Sequence, residues 1–86
     1  HGLDSARLSE LFGWSEQTFM RKLEGSPIRR IGYARWLRNI AVALGNAPFS
    51  RSILTLLQHK LAEVDDALVQ EHIQWAIEQQ KQGDRR

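Results

Sequence analysis

The chain of 86 residues contains no cysteine. Disulfides, thiolate metal sites and cysteine-held iron–sulfur clusters are therefore excluded from this stretch. Proline occurs only at Pro27 and Pro48, and both positions read as punctuation between helices. No apolar run approaches the ~20 residues needed to cross a bilayer, and no signal-peptide pattern opens the chain. The G-x-S-x-G elbow, the P-loop, G-x-G-x-x-G and H-E-x-x-H are all missing, so the sequence has no catalytic constellation of its own. Its first residue is His1 and its only methionine is Met20, so the chain is expected to be a piece of a longer protein.

One absence is local. Acidic residues number ten, yet none falls in residues 26–51, which carry Arg29, Arg30, Arg35, Arg38 and Arg51. The flanks on both sides are mildly acidic, so a basic middle stands out although the formal net charge is only +2. Every cation in that middle is arginine, whose planar fork suits bidentate contact with phosphate better than lysine does.

The apolar spacing is helical throughout, with no strand-like alternation. Asp4 or Ser5 caps a first helix through Leu8, Leu11 and Phe12, stopping at Gly13. Ser15 caps a second, carrying Phe19, Met20 and Leu23 and ending at Gly25. Ser26-Pro27 pairs an N-cap serine with proline at the first helical position, and Gly32 interrupts the short turn that follows. A longer helix runs from Tyr33 to Leu44 and ends at Gly45-Asn46. Trp36, Leu37, Ile40, Ala41, Ala43 and Leu44 cover most of its circumference, leaving Arg35, Arg38, Asn39, Val42 and Asn46 on the remaining side.

After the break at Pro48, Ser50 caps a helix with Ile53, Leu56, Leu57 and Leu61. Asp65 or Asp66 caps the last, with Leu68, Val69, Ile73, Trp75, Ala76 and Ile77 apolar. The polar run after Glu78 has nothing to bury and is expected to fray. The fold class is all-α: five to six short helices in stacked antiparallel pairs, forming one domain over residues 1–82 with a frayed tail at 83–86. Residues 36–44 align with 69–77 at a constant offset, pairing Ile40 with Ile73, Ala43 with Ala76 and Leu44 with Ile77. Upstream, Met20 pairs with Ile53 and Leu23 with Leu56. Such an echo is the mark of stacked helix pairs, chance likeness of amphipathic helices being the alternative.

His59 and Glu63 share a helix face, and His72 follows Glu71. A metal centre needs three or four converging ligands, so these read as solvated pairs. Trp36 and Trp75 are assigned to the core, and Trp14, beside a helix boundary, is left open. The basic middle has two readings. Arg29, Arg30, Arg35, Arg38, Asn39 and a nearby Tyr33 ring make up a phosphate-contacting set. Alternatively the arginines serve the fold, with Arg38 pairing to Asp65 or Asp66 and Arg35 covering apolar surface with its stem.

The run FGWSEQTFMRKLEGSPIRRIGYARWLRNIAVALGNAP resembles the C-terminal region of the epoxyqueuosine reductases. The likeness is close from Leu11 to Pro48 and looser over residues 65–77, which are similar to a HEAT-like repeat helix. The resemblance implies a HEAT-like helical module within a cytoplasmic parent enzyme. That parent would carry a cobalamin-binding domain and a ferredoxin-like domain with two [4Fe–4S] clusters. It would reduce epoxyqueuosine to queuosine at the wobble position of tRNA. This segment would then have no activity of its own and would grip the tRNA, through Arg29, Arg30, Tyr33, Arg35, Arg38, Asn39 and Asn46. Docking of the same basic face onto the parent's catalytic domains is the second reading.

Overall fold

The computed structural model describes residues 5–84. Among them the fold is all-α. Helix α1 covers Ser5–Phe12 and α2 Glu16–Lys22; a 3₁₀ turn at Pro27–Ile31 leads to α3, Tyr33–Asn46, then α4, Arg51–Glu63, and α5, Ala67–Asp84. None of these helices is long and apolar enough to cross a membrane.

The starts of the elements follow from local chemistry. The first N–H groups of a helix have no partner within it, and a short oxygen side chain just upstream supplies one. Ser15 Oγ accepts from Thr18 N at 3.1 Å, Ser26 Oγ from Ile28 N at 3.2 Å and Ser50 Oγ from Ile53 N at 3.3 Å. Of the two aspartates before α5, Asp66 is the cap, its Oδ1 accepting from Leu68 N at 2.9 Å and Val69 N at 3.0 Å. Asp4, the other candidate for the start of α1, lies outside the described residues. Gly32, at φ +87°, separates the 3₁₀ turn from α3 in a conformation other residues rarely adopt.

One core joins four helices: Leu11 and Phe12 of α1, Leu37, Ile40, Ala41 and Leu44 of α3, Ile53 and Leu57 of α4, and Val69, Ile73, Ala76 and Ile77 of α5. Helices α3 and α5 run in the same direction. Ala34 and Leu37 share a cleft with Val69 near their starts, Gly45 meets Ala76 further along, and Leu44 O reaches Gln80 near the end. Parallel next-but-one helices are compatible with a stacked-pair repeat. Ile40, Ile73, Leu44 and Ile77 are all buried as the internal echo requires. The echo fails at Met20, which is 39% exposed while Ile53 is buried.

Two expectations are corrected, and in a third the expected end of α3 at Asn46 holds while the role of Gly45 changes. Helix α2 ends at Lys22, short of Gly25. Gly45 does not stop α3; it is a buried helical residue, and a Cβ there would stand 2.7 Å from Trp75 Cζ3 and 2.9 Å from Ala76 Cα. Its missing side chain is what lets α5 lie against the α3 backbone. The polar tail is not frayed: α5 continues to Asp84, with residues 85–86 outside the described part. Gln80 is 1% exposed. Its Nε2 donates to Leu44 O at 2.8 Å and Ala47 O at 3.1 Å, and its Oε1 accepts from Ser50 N at 2.9 Å. These partners are the loose backbone ends of α3 and the linker to α4, groups that need hydrogen bonds once covered.

Two substitutions test this seam by urea denaturation. Gln80→Leu is expected to lose about 3 kcal/mol by orphaning those backbone groups, whereas exposed Gln82→Ala stays within about 0.5 kcal/mol. Gly45→Ala is expected to lose about 1–3 kcal/mol from overpacking, although alanine is the better helix former.

Candidate nucleic-acid interface

The basic stripe of α3 is aimed by the packing at that helix's start. Trp14 and Trp36 stack with ring centroids 5.8 Å apart, and Phe19 tilts against Trp36 at 5.2 Å and against Tyr33 at 5.6 Å. Tyr33 donates from its hydroxyl to Trp14 O at 2.6 Å. Lys60 of α4, only 5% exposed, donates from Nζ to Trp14 O and to Tyr33 Oη, each at 3.3 Å, and pairs with Glu63 at 3.3 Å. A buried ammonium needs such partners, and these join α4 to the α1–α2 turn and to α3. The first turn of α3 is thereby held with its apolar side inward.

With that side buried, Arg35, Asn39, Val42 and Asn46 are exposed and Arg38 is half-buried along one stripe. The 3₁₀ turn adds exposed Arg30 and half-buried Arg29. These two line a cleft of about 590 Å³ with Met20, Gly25, Ser26 and Pro27. Among the described residues the ion pairs are Arg7–Glu10 and Lys60–Glu63. None of the five arginines of the basic middle takes part in either. Arg29 Nε and Arg38 Nε are buried with no hydrogen-bond partner. The pairing of Arg38 with Asp65 or Asp66 is not realised, and Asp66 Oδ1 is committed to capping α5.

The other candidates fall on both sides of the surface. Tyr33, read as a nearby ring of the RNA-contacting set, is tied into the fold: its hydroxyl donates to Trp14 O and its ring lies against Phe19. Trp36 lies half-buried against the core as expected, and Trp14 joins it there. Trp75 does not: it is 40% exposed. His59 is exposed, and Glu63 turns to Lys60. No group of three or more metal-ligating side chains converges among the described residues. The sequence reading missed Lys60 and Gln80 as buried polar residues and Trp75 as a surface one. The helical period held the signal: Lys60 falls on the same face of α4 as Ile53 and Leu57, Gln80 on the same face of α5 as Val69, Ile73 and Ile77, and Trp75 well off it.

No family model and no solved structure matches the chain. Curated sequences do. The chain is 55% identical over 83 residues to an epoxyqueuosine reductase of Shewanella oneidensis, an alignment covering 95% of the chain and 21% of that relative. Over its matched length, the chain is a homologue of the epoxyqueuosine reductases. Identity to the enzyme named so in Escherichia coli is 58% over 78 residues, covering 91% of the chain and 20% of the relative. For Xanthomonas campestris it is 56% over 77 residues, 90% and 21%. The chain thus spans about a fifth of the length of these relatives.

Tyr33→Phe separates strut from contact. It is expected to lower stability in thermal unfolding by about 1 kcal/mol, through loss of the Trp14 hydrogen bond, while leaving any RNA affinity of the α3 stripe unchanged.

Proposed function

We propose that this chain is the tRNA-holding helical module of an epoxyqueuosine reductase, a HEAT-like C-terminal domain. In this reading it grips the substrate while the rest of a longer cytoplasmic chain reduces epoxyqueuosine at the wobble position. One observation carries the reading: the exposed side of α3 and the adjoining 3₁₀ turn present Arg29, Arg30, Arg35 and Arg38 without an ion pair to any described residue. Arginines spread along a surface track a phosphate backbone, and Asn39 and Asn46 add amide groups beside them. Stems of RNA are read mainly through phosphates, 2′-hydroxyls and shape, which such a surface can do without a pocket. Cobalamin and two [4Fe–4S] clusters belong, in this reading, to other parts of the longer chain, since these residues offer no cysteine ligand.

A second reading has its own observation. Met20, Ile28 and Ile31 are exposed beside Arg29 and Arg30, and an apolar patch with arginines suits protein contact. The 3₁₀ turn would then dock on the catalytic domains, leaving α3 to the RNA.

Titration of the chain with a queuosine-type tRNA at several salt concentrations tests both. Saturable binding that weakens with salt is expected, and Arg35→Ala with Arg38→Ala should reduce the log–log salt slope by about 2, one per lost phosphate contact, with the helical circular-dichroism signal intact. Absence of binding at low salt overturns the tRNA reading. Unchanged affinity in Arg29→Ala with Arg30→Ala assigns the 3₁₀ turn to protein docking.

A further inference from the structure

Tryptophan on the surface of a small helical protein is costly to leave in water, and Trp75 is there at 40% exposure. It is not loose. Its Cζ3 edge leans on α3 at Gly45, where even a methyl group would come within 2.7 Å of it. The ring is therefore seated on backbone and shows its remainder to solvent. Together with Val42, 38% exposed, and with Glu71 and His72, it lines a shallow groove of about 340 Å³.

Val42 ties this groove to the basic stripe. It lies one turn, about 6 Å, beyond Arg38 on the same side of α3. The polar groups in the groove are acceptors. His72 Nδ1 is 2.8 Å from Leu68 O, a contact that requires the proton on Nδ1 and leaves Nε2 of the neutral ring to accept. The Glu71 carboxylate accepts as well and repels phosphate. An apolar wall with two acceptors, beside arginines that attract phosphate, fits a neutral ring bearing an exocyclic amine, with the backbone held outside.

We propose that Trp75 is a stacking platform for an unpaired nucleobase of the RNA, with Val42 as the opposite wall and Arg35 and Arg38 taking the adjoining phosphates. The proposal rests on the tRNA-holding reading and deepens it: paired stems engage the arginine stripe alone, and unpaired nucleotides add a base on Trp75. Stacking on an aromatic side chain is tolerant of sequence and is worth a factor of about ten or more in affinity per base.

The test compares a stem-loop RNA with the fully paired duplex of the same stem, on the 86-residue chain. The stem-loop is expected to bind about tenfold more tightly and to quench tryptophan emission. Trp75→Ala should bring it down to the affinity of the duplex, and Trp75→Phe should abolish most of the quenching. If Trp75→Ala leaves the stem-loop affinity unchanged while Arg35→Ala with Arg38→Ala weakens both RNAs, stacking is overturned and the arginine reading survives, with the groove left to a protein partner. If neither RNA binds at low salt, both readings fall. Should Trp75→Ala fail to fold, the unmodified chain decides: stem-loop binding without quenching overturns the proposal.

Discussion

The close approach of α3 and α5 is the constraint on which the rest of this structure depends. Small side chains let two helix backbones approach closely, and Gly45 against Ala76 is the place where α3 and α5 do so. The seam then covers the C-terminal end of α3, whose carbonyls have no partner of their own. Gln80 supplies the donors and also accepts from Ser50 N at the start of α4. One amide side chain of α5 thus holds both the end of α3 and the start of α4. The α5 helix must run past Glu78 to bring it there, and that is why a segment with no apolar stripe of its own is ordered.

A second polar anchor works at the opposite end of α3. Lys60 and Tyr33 both bond Trp14 O, so the α1–α2 turn, α3 and α4 meet at one carbonyl. With both ends of α3 held, its rotation about its own axis is settled, and so is the identity of the residues left outside. Arg35, Arg38 and Asn39 face outward because Leu37, Ile40, Ala41 and Leu44 are all required inside. The basic surface is a consequence of how the core is closed.

The relation to the epoxyqueuosine reductases spans nine-tenths of this chain and about a fifth of theirs. Within that segment the arginines are concentrated in one stretch, residues 26–51, that carries no acid. Its arginines are disposed along a helix and a turn, not gathered around a single pocket. Such an arrangement suits an extended polyanion better than a small anion, because each phosphate is met by a different side chain and binding is a sum of modest terms screened by salt.

By itself the sequence determined the all-helical class, the serine caps of α2, the 3₁₀ turn and α4, and the exposed side of α3. These are local matters: serine, aspartate and glycine act within a few residues, and the apolar period of α3 is wide enough to leave only one side free. The sequence also located the basic middle, since a missing acid needs no fold to be noticed. The helical period set Lys60 and Gln80 inward and Trp75 outward, but only the tertiary structure decided what they and Gly45 meet. A glycine near a helix end reads equally as a stop or as a contact, and only the neighbouring helix distinguishes them. A buried glutamine or lysine is stable only where distant backbone groups complete its hydrogen bonds, and those groups lie 30 to 46 residues away in the chain. Trp75 stands outside because the seam placed its neighbours Ile73, Ala76 and Ile77 within, and a helix cannot turn both faces to the same partner.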